Sequence, residues 1–289
     1  MDIRAIVAGL CFAFMWSSAF TSARIIVAAA PPLTALSLRF LISGLLGVLI
    51  AWMLGQSWRL TRAQWRATII FGICQNALYL GLNFVAMQTI EASLAAIVAS
   101  TMPLLVALAG WAFFGERVGT LGMIGLIAGL IGVIIIMGAR LQGGIDMMGL
   151  GLCVLGVIAL TFATMMVRGA TSGGNFLMVV GLQMLVGSAV LSVAAAATET
   201  IEITWSWQLI AAFAYTTLIP GLAATLVWFW LVNRIGAVKA ATFHFLNPFL
   251  GVVIAALILG EALGLREMLG VAVIAAGILA VQLSKQARR

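Results

Sequence analysis

Five polar side chains lie within apolar segments at spacings that would suit the binding of a solute. His244 and Asn247 are three residues apart, and Gln75, Tyr79 and Asn83 follow one another at intervals of four. Residues three or four apart share one face of an α-helix. Polar groups are costly in hydrocarbon, so each face should look into a helix bundle. Both sets are candidate substrate-binding residues, and hydrogen bonding between helices is the alternative.

Two side chains in these apolar segments, one of them already named, carry or can acquire a charge. His244 is the single histidine, and histidine titrates near neutral pH. It is predicted to bind substrate or sense protonation, or else to be a neutral, hydrogen-bonded core residue. Arg39 also lies inside an apolar segment. Its guanidinium would suit a bidentate contact with a substrate carboxylate, and pairing with Glu91 or with an outer carbonyl is the alternative.

Four aromatic residues, Trp16, Tyr215, Trp228 and Trp230, lie within apolar segments, whereas Trp58, Trp65, Trp205 and Trp207 lie near segment ends. Tryptophan near the end of a membrane span is typical of the interfacial belt. The deep rings are therefore candidate substrate-binding residues that would surround an apolar or aromatic side chain. Contact with lipid or packing against other helices explains each ring equally well.

Three of the five prolines, Pro103, Pro220 and Pro248, interrupt apolar segments. Proline lacks an N–H and displaces the carbonyl four residues earlier. Free carbonyls are tolerated in lipid only where they are buried in protein or line a wet cavity. The three prolines are therefore predicted hinges, and a simple packing kink is the alternative.

Several kinds of reactive group are missing. All eight Asp and Glu residues fall at termini or connections, so a proton antiporter built on a central carboxylate is not expected. The sequence has no phosphate-binding Gly-Lys motif, no cluster of metal ligands and no nucleophile–base pair. We therefore expect neither an enzyme nor a bound cofactor or metal, and the chain by itself is not an ATP-driven pump.

The composition is that of an integral membrane protein. Hydrophobic residues make up 64% and charged residues 8%, with a mean hydropathy of +1.21, whereas soluble domains carry roughly 25% charged residues. The predicted fold class is all-α and polytopic, with ten transmembrane helices. The spans are Ile3–Ala28, Leu33–Leu54, Ala67–Gln88, Ser93–Phe114, Leu121–Ala139, Gly149–Val167, Leu177–Ala197, Gln208–Val232, Ala240–Leu259 and Met268–Leu283.

The expected partners are the lipid bilayer and a small-molecule substrate, in a protein that is compatible with a monomer. The net charge of +7 does not indicate nucleic acid, because the positive residues lie at span ends.

The sequence contains an internal duplication. A shift of 145 residues places Pro103 on Pro248, Gly115-Glu116 on Gly260-Glu261, and Gly132 on Gly277 without a gap. This periodicity predicts two copies of one unit, residues 1–145 and 146–289. Because each copy carries five spans, the second must enter the membrane inverted. Inverted repeats of this kind place a substrate site near the membrane midplane and support alternating access.

Lysine and arginine predict the orientation. With both termini in the cytoplasm, eleven positive residues lie inside and three lie outside. The inner set is Arg4, Arg59, Arg62, Arg66, Arg117, Arg168, Arg234, Lys239, Lys285, Arg288 and Arg289, and the outer set is Arg24, Arg140 and Arg266. Cytoplasmic connections are enriched in positive residues, so the prediction is N-in and C-in.

These motifs resemble a known family. The run Trp16-Ser17-Ser18-Ala19-Phe20, the pair Arg39-Phe40 after Pro32, and the duplicated block with its proline, Gly-Glu and spaced glycines are similar to the drug/metabolite transporter superfamily, EamA-domain branch. The resemblance implies a ten-helix exporter of small metabolites in a bacterial inner membrane. Within that branch the chain resembles YddG-type exporters of amino acids, including aromatic ones.

The sequence therefore predicts a carrier that exports small metabolites, foremost amino acids, by alternating access around a central cavity. Sugar phosphates, nucleotide sugars and cationic drugs are alternative substrates. A membrane-embedded enzyme or sensor is the alternative from a different class.

Overall fold

The computed structural model describes residues 3–115, 119–142, 144–166, 174–262 and 264–286. Within them ten helices are long and apolar enough to cross a membrane, which confirms the predicted fold class, and no β-strand occurs. The helices are α1 (Ile3–Val27), α2 (Pro32–Met53), α3 (Arg62–Ala86), α4 (Ala92–Phe113), α5 (Thr120–Gly138), α6 (Met147–Met166), α7 (Phe176–Thr198), α8 (Trp207–Val232), α9 (Lys239–Leu259) and α10 (Leu265–Ser284).

Local signals set several helix ends. Helix α3 begins five residues before the predicted Ala67, because Thr61 and Gln64 form a reciprocal capping box ahead of the apolar run. Helices α4 and α9 end at Gly115 and Gly260, where φ is 62° and 70°. A residue with a Cβ is strained in this left-handed conformation, which explains a glycine at both positions of the repeat.

Four of the ten helices are irregular within the membrane. Helix α3 is π-helical over Gly72–Tyr79, and α8 is π-helical over Ile219–Ala223. The shift of 145 residues places Ile219–Ala223 within Gly72–Tyr79. The helix is therefore widened at corresponding positions of the two sequence copies. Helix α4 breaks at Thr101, just before Pro103, and α9 passes through a 3₁₀ turn ahead of Pro248. The predicted hinge prolines therefore coincide with irregular backbone, and whether they move stays a prediction.

The chain forms two compact units, and each unit takes segments from both halves of the sequence. Unit 1 comprises Met1–Thr21, Thr89–Leu150 and Ala223–Arg289. Unit 2 comprises Ser22–Gln88 and Gly151–Leu222. The predicted repeats, 1–145 and 146–289, are therefore not the compact bodies of the molecule.

Helices α5 and α10 pack closely in unit 1 through glycines. A Cβ at Gly125 would lie 2.6 Å from the Gly277 carbonyl oxygen, and a Cβ at Gly132 would lie 2.8 Å from the Gly270 carbonyl oxygen. The pairing runs antiparallel, and the shift of 145 residues exchanges one pair with the other. Two copies related by a two-fold axis would give this exchange of contacts, and small residues at a membrane helix interface permit the close approach.

Unit 2 has a corresponding close pair, α2 and α7. A Cβ at Gly181 would lie 2.7 Å from the Val48 backbone nitrogen, and one at Gly44 would lie 3.0 Å from the Gly181 carbonyl oxygen. Helix α3 also packs on α7, where a Cβ at Gly72 would lie 2.7 Å from the Gln183 carbonyl oxygen. Glycine therefore sets the helix spacing in both units.

Gly125→Ala should destabilise the protein by about 1–3 kcal/mol, because the added methyl overpacks the α5–α10 interface. Gly138→Ala is the matched control on the same helix, since a Cβ there meets nothing within 4 Å. It should leave stability unchanged or raise it by up to about 1 kcal/mol through helix propensity. Unfolding in mixed micelles measures both variants, and equal stability of the two would contradict the close packing.

Candidate functional site

Four rings meet in unit 1. Phe12 and Trp16 lie one turn apart on α1, Trp228 lies on α8 and His244 lies on α9. The ring centroids of Phe12 and Trp228 are 4.9 Å apart, and His244 lies 5.3 Å from each of them. Trp16 lies 5.7 Å from Phe12 and stands edge-on to His244 at 6.1 Å. We call Phe12, Trp16, Trp228 and His244 the ring cluster. Its spacings fall within the range of favourable aromatic pairs.

The ring cluster is only partly closed. Phe12 is buried, whereas Trp16, Trp228 and His244 are half-buried. Trp16, Trp228 and His244 therefore keep accessible surface, whereas Phe12 forms the buried side of the cluster. Such a surface suits an apolar or aromatic group and also suits a cation, which is attracted to the face of an aromatic ring.

A hydrogen-bonded chain fixes the polar edge of the cluster. The Asn247 Nδ2 donates to His244 Nδ1 at 2.9 Å, and the Ser17 hydroxyl lies 3.5 Å from Asn247 Oδ1 and 3.4 Å from the Asn247 carbonyl oxygen. In the tautomer in which Nδ1 accepts from this amide, the ring proton lies on Nε2, and His244 offers one N–H donor among apolar rings.

The backbone of α9 places these two side chains together. The segment Thr242–Leu246 is 3₁₀-helical, and the next α-helical stretch begins at Asn247, directly before Pro248. The sequence predicts that Pro248 leaves the His244 carbonyl free, and this prediction is wrong. The carbonyl accepts the N–H of Asn247, because the 3₁₀ turn shifts the hydrogen bonding by one residue.

The structure brings together four of the predicted site residues within unit 1, Trp16, Trp228, His244 and Asn247. Tyr215 belongs to unit 2, and its contact with substrate stays a prediction. Two members of the site, Phe12 and Ser17, were not predicted. Phe12 lies four residues before Trp16, so helical spacing alone would place both rings on one face. Ser17 gave no comparable signal, because its partner lies 230 positions away in the sequence.

The polar residues of α3 lie in unit 2. Gln75 is half-buried, while Tyr79 and Asn83 are buried. Asn83 donates to the Tyr79 carbonyl oxygen at 2.7 Å and lies 3.3 Å from the thiol of Cys153. Gln75 and Tyr79 lie in the π-helical segment Gly72–Tyr79 and not in a regular α-helix, and a shared face for the three residues stays a prediction. Hydrogen bonding within the bundle accounts for Asn83, and substrate contact by all three stays a prediction.

Arg39 and Ser43 of α2 satisfy the backbone that Pro220 disrupts. Pro220 has no N–H to give to the carbonyl of Thr216. The Arg39 Nε donates to that carbonyl at 3.2 Å, and the Ser43 hydroxyl donates to the Thr217 carbonyl at 3.1 Å. The Arg39 guanidinium also lies 5.1 Å from the Phe40 ring centroid. One alternative for Arg39 was pairing with a backbone carbonyl near the outer membrane surface. In the structure its carbonyl partner is that of the buried Thr216. Substrate contact by Arg39 stays a prediction.

Three of the described carboxylates, those of Glu261, Glu199 and Asp146, accept N–H groups at the starts of helices, where such groups are free. In unit 1, Glu261 accepts the backbone N–H of Ala92 and of Ser93 at 2.8 and 2.9 Å. In unit 2, Glu199 accepts those of Leu33 and Thr34 at 2.7 and 2.8 Å. These acids serve as helix caps. Glu116, the repeat partner of Glu261, lies outside the described residues.

Asp146 is a third cap, at the start of α6. It accepts the Thr89 hydroxyl at 2.5 Å and the N–H groups of Gly149 and Met148. These hydrogen bonds, foremost that of Thr89, hold the pKa of the carboxyl below its ordinary 3.8. Because the folded-state pKa is lowered, the stabilisation is present above the ordinary value and is lost as pH falls through the folded value.

No group of three or more His, Cys, Asp or Glu side chains that could hold a metal ion occurs in the part of the chain that the structure describes. Cys11, Cys74 and Cys153 are free thiols.

Comparison with known proteins gives one consistent result. The model of the EamA-like transporter family matches the chain twice, at residues 3–138 and 147–283. The uncharacterized transporter YvbV of Bacillus subtilis is 27% identical over 276 residues, covering 95% of this chain and 90% of the relative. The uncharacterized inner membrane transporter YedA of Escherichia coli K12 is 29% identical over 281 residues, covering 94% and 88%. A crystal structure with 20% identity has a TM-score of 0.71 and covers both chains completely, which shows a shared fold.

Arg39→Met should cost about 1–3 kcal/mol of stability, because it leaves the Thr216 carbonyl without its donor. In a Pro220→Ala background the same substitution should cost less, because the introduced alanine supplies an N–H to that carbonyl. Unfolding of the four proteins in mixed micelles gives the coupling energy, which we expect to be about 0.5–3 kcal/mol. An identical loss of stability from Arg39→Met in both backgrounds would show that Arg39 does not compensate for the missing N–H of Pro220.

Proposed function

Because the chain belongs to the EamA-like transporter family, we propose that it exports amino acids, including aromatic ones, by alternating access. It is a multi-pass transporter of the inner membrane, as the sequence predicts. The observation that supports the amino-acid substrate is the ring cluster of unit 1 together with the Ser17–Asn247–His244 chain. Half-buried rings beside a polar edge suit a solute that is apolar at one end and polar at the other.

The ring cluster matches an apolar or aromatic side chain in both chemistry and geometry. Trp228 and His244 present ring surface at a centroid separation of 5.3 Å, and Trp16 adds a second indole. Aromatic pairs are favourable beyond the area that they bury. The N–H on His244 Nε2 supplies a directional contact for a carboxylate or carbonyl oxygen of the same solute.

The alternative substrates differ in the charge that they require. Sugar phosphates and nucleotide sugars carry several negative charges and would need several cations within the membrane. Arg39 is one buried cation, and its Nε is engaged with the Thr216 carbonyl. A cationic drug remains compatible with the ring cluster through cation–π attraction. Competition between an aromatic amino acid and an aromatic monocation therefore separates the two leading substrates.

Mechanistically, the irregular helices are the elements that we expect to move. Helix α4 breaks at Thr101, and α9 changes from 3₁₀ to α-helix at Asn247. The change at Asn247 lies within the Ser17–Asn247–His244 hydrogen-bonded chain. A change of α9 at this point would alter the spacing of His244 and Trp228. We propose that this movement couples solute binding to the change of access.

Trp228→Ala should raise the KM for phenylalanine efflux from proteoliposomes by about 10-fold, because it removes one wall of the ring cluster and about 1.4 kcal/mol of binding. Trp228→Phe should retain most of the affinity, since it keeps an aromatic face. Trp205→Ala is the control, because Trp205 is exposed in a connection. Flux of a small amino acid such as alanine should change less. Efflux by the wild type that does not exceed empty vesicles across a full amino-acid panel would refute the proposed function.

The proposed N-in and C-in orientation is tested by cysteine labelling in a background that lacks Cys11, Cys74 and Cys153. Ser57→Cys, in the exposed α2–α3 connection, should react only after the cells are permeabilised. Thr200→Cys, in the exposed α7–α8 connection, should react with an impermeant maleimide added to intact cells. The opposite pattern would reverse the orientation, and labelling of both positions from one side would contradict ten crossings.

A further inference from the structure

The polar atoms of Asn247 face other parts of the protein. Asn247 is 8% exposed. Its Nδ2 lies 2.9 Å from His244 Nδ1, while its Oδ1 and its backbone carbonyl oxygen lie 3.5 and 3.4 Å from the Ser17 hydroxyl. Its backbone N–H donates to the His244 carbonyl. The Asn247 side chain is therefore buried against two residues of unit 1 and is not presented to a solute.

The two ring nitrogens of His244 are in different surroundings. Nδ1 faces the Asn247 amide, whereas Nε2 has no hydrogen-bond partner among the residues that the structure describes. In the same part of the chain, the fully buried side-chain nitrogen or oxygen that lacks a partner is Thr21 Oγ1 and not His244 Nε2. Nε2 therefore keeps accessible surface on the half-buried imidazole, and a solute at the ring cluster can contact it.

The local backbone and the neighbouring rings hold the imidazole in place. The segment Thr242–Leu246 is 3₁₀-helical, and side chains three residues apart eclipse one another in a 3₁₀-helix. This places the Asn247 amide next to the imidazole. From α1, Phe12 and Trp16 stand edge-on to the His244 ring, with interplanar angles of 87° and 90°. The ring is therefore oriented by its own helix and by a second helix of the same unit.

We propose that Asn247 is a positioning residue that acts on the solute through His244. A neutral imidazole donates from one ring nitrogen and accepts at the other. With Nδ1 accepting from the Asn247 amide, the proton lies on Nε2, and the ring cluster presents a donor to the solute. This arrangement selects a solute whose polar end is an acceptor, such as the carboxylate of an amino acid. The inference rests on the proposed function and adds to it the residue that sets the direction of the hydrogen bond.

The tautomer can be observed directly by NMR, because His244 is the single histidine of the chain. Protein labelled with ¹⁵N-histidine is placed in nanodiscs at about pH 8, where an ordinary histidine is neutral. The wild type should carry the proton on Nε2 and show a hydrogen-bonded, unprotonated Nδ1. Asn247→Leu removes the amide and keeps a similar shape, so both tautomers should become populated and the Nδ1 signal should move. Thr161→Val is the control, because it removes a buried hydroxyl that is bonded to the Val157 carbonyl in unit 2, and it should leave both signals unchanged.

Transport kinetics separate action through His244 from direct contact with the solute. Asn247→Leu should raise the KM for phenylalanine efflux about 3-fold to 10-fold, as expected for a weakened hydrogen bond. In a His244→Phe background, which keeps a ring but has no ring nitrogen, the same substitution should change the KM less than about 2-fold, because the group through which Asn247 acts is gone. Inhibition of efflux by phenethylamine, which lacks the carboxylate, should be equally strong in the wild type and in Asn247→Leu.

Each contrary outcome bears on a distinct part of the proposal. A wild-type proton on Nδ1, or the same His244 signals in the wild type and in Asn247→Leu, overturns the tautomer assignment, and the wild-type spectrum decides this even if the variant does not fold. An equal rise of the KM in both backgrounds shows that Asn247 contacts the solute itself, which overturns the positioning role. An equal loss of affinity for phenylalanine and phenethylamine overturns the selection of an acceptor. Absence of flux in the wild type overturns the proposed function, while the spectrum still reports whether Asn247 fixes the imidazole.

Discussion

A lipid bilayer offers no water to backbone polar groups, so each N–H and carbonyl within it must find a partner inside the protein. This constraint accounts for much of the polar chemistry of the chain. Arg39 and Ser43 donate to the carbonyls of Thr216 and Thr217 beside Pro220. Glu199 and Glu261 accept N–H groups at the starts of α2 and α4. Residues that could be taken for a binding site by polarity alone are thus engaged in satisfying backbone.

The same constraint makes irregular helical segments informative. In the middle of a regular α-helix every backbone N–H and carbonyl is hydrogen-bonded within the helix, without help from side chains. A π-helical or 3₁₀ segment changes which carbonyl accepts from which N–H. The irregular segments of α3, α4, α8 and α9 are therefore places where side chains have to compensate. In α9 the compensation joins His244 and Asn247, and this polar pair is held against three aromatic rings. The structure concentrates in one unit an apolar surface and a small number of directed donors, which is the general composition of a small-molecule site.

Glycine determines how close the helices come. The α5–α10 contact uses Gly125 with Gly277 and Gly132 with Gly270, and the duplication exchanges the two pairs. Hydrophobic attraction does not drive helices together in lipid, because the lipid tails are as apolar as the side chains. Packing at close range provides the association instead. An antiparallel contact between repeat partners follows when a module with an odd number of spans is duplicated.

The sequence by itself determined the class of the protein, because hydropathy and length depend only on composition along the chain. It also determined the duplication and the deep positions of Trp16, Trp228, His244 and Asn247, since proline, glycine and polar residues stand out in an apolar chain. Only the tertiary structure decided which of these residues meet. Ser17 and Asn247 are 230 positions apart, and Arg39 meets a carbonyl 177 positions away. No local period encodes such distances. The π-helical segment that contains Gln75 and Tyr79 was likewise not predicted, because spacing rules assume a regular α-helix.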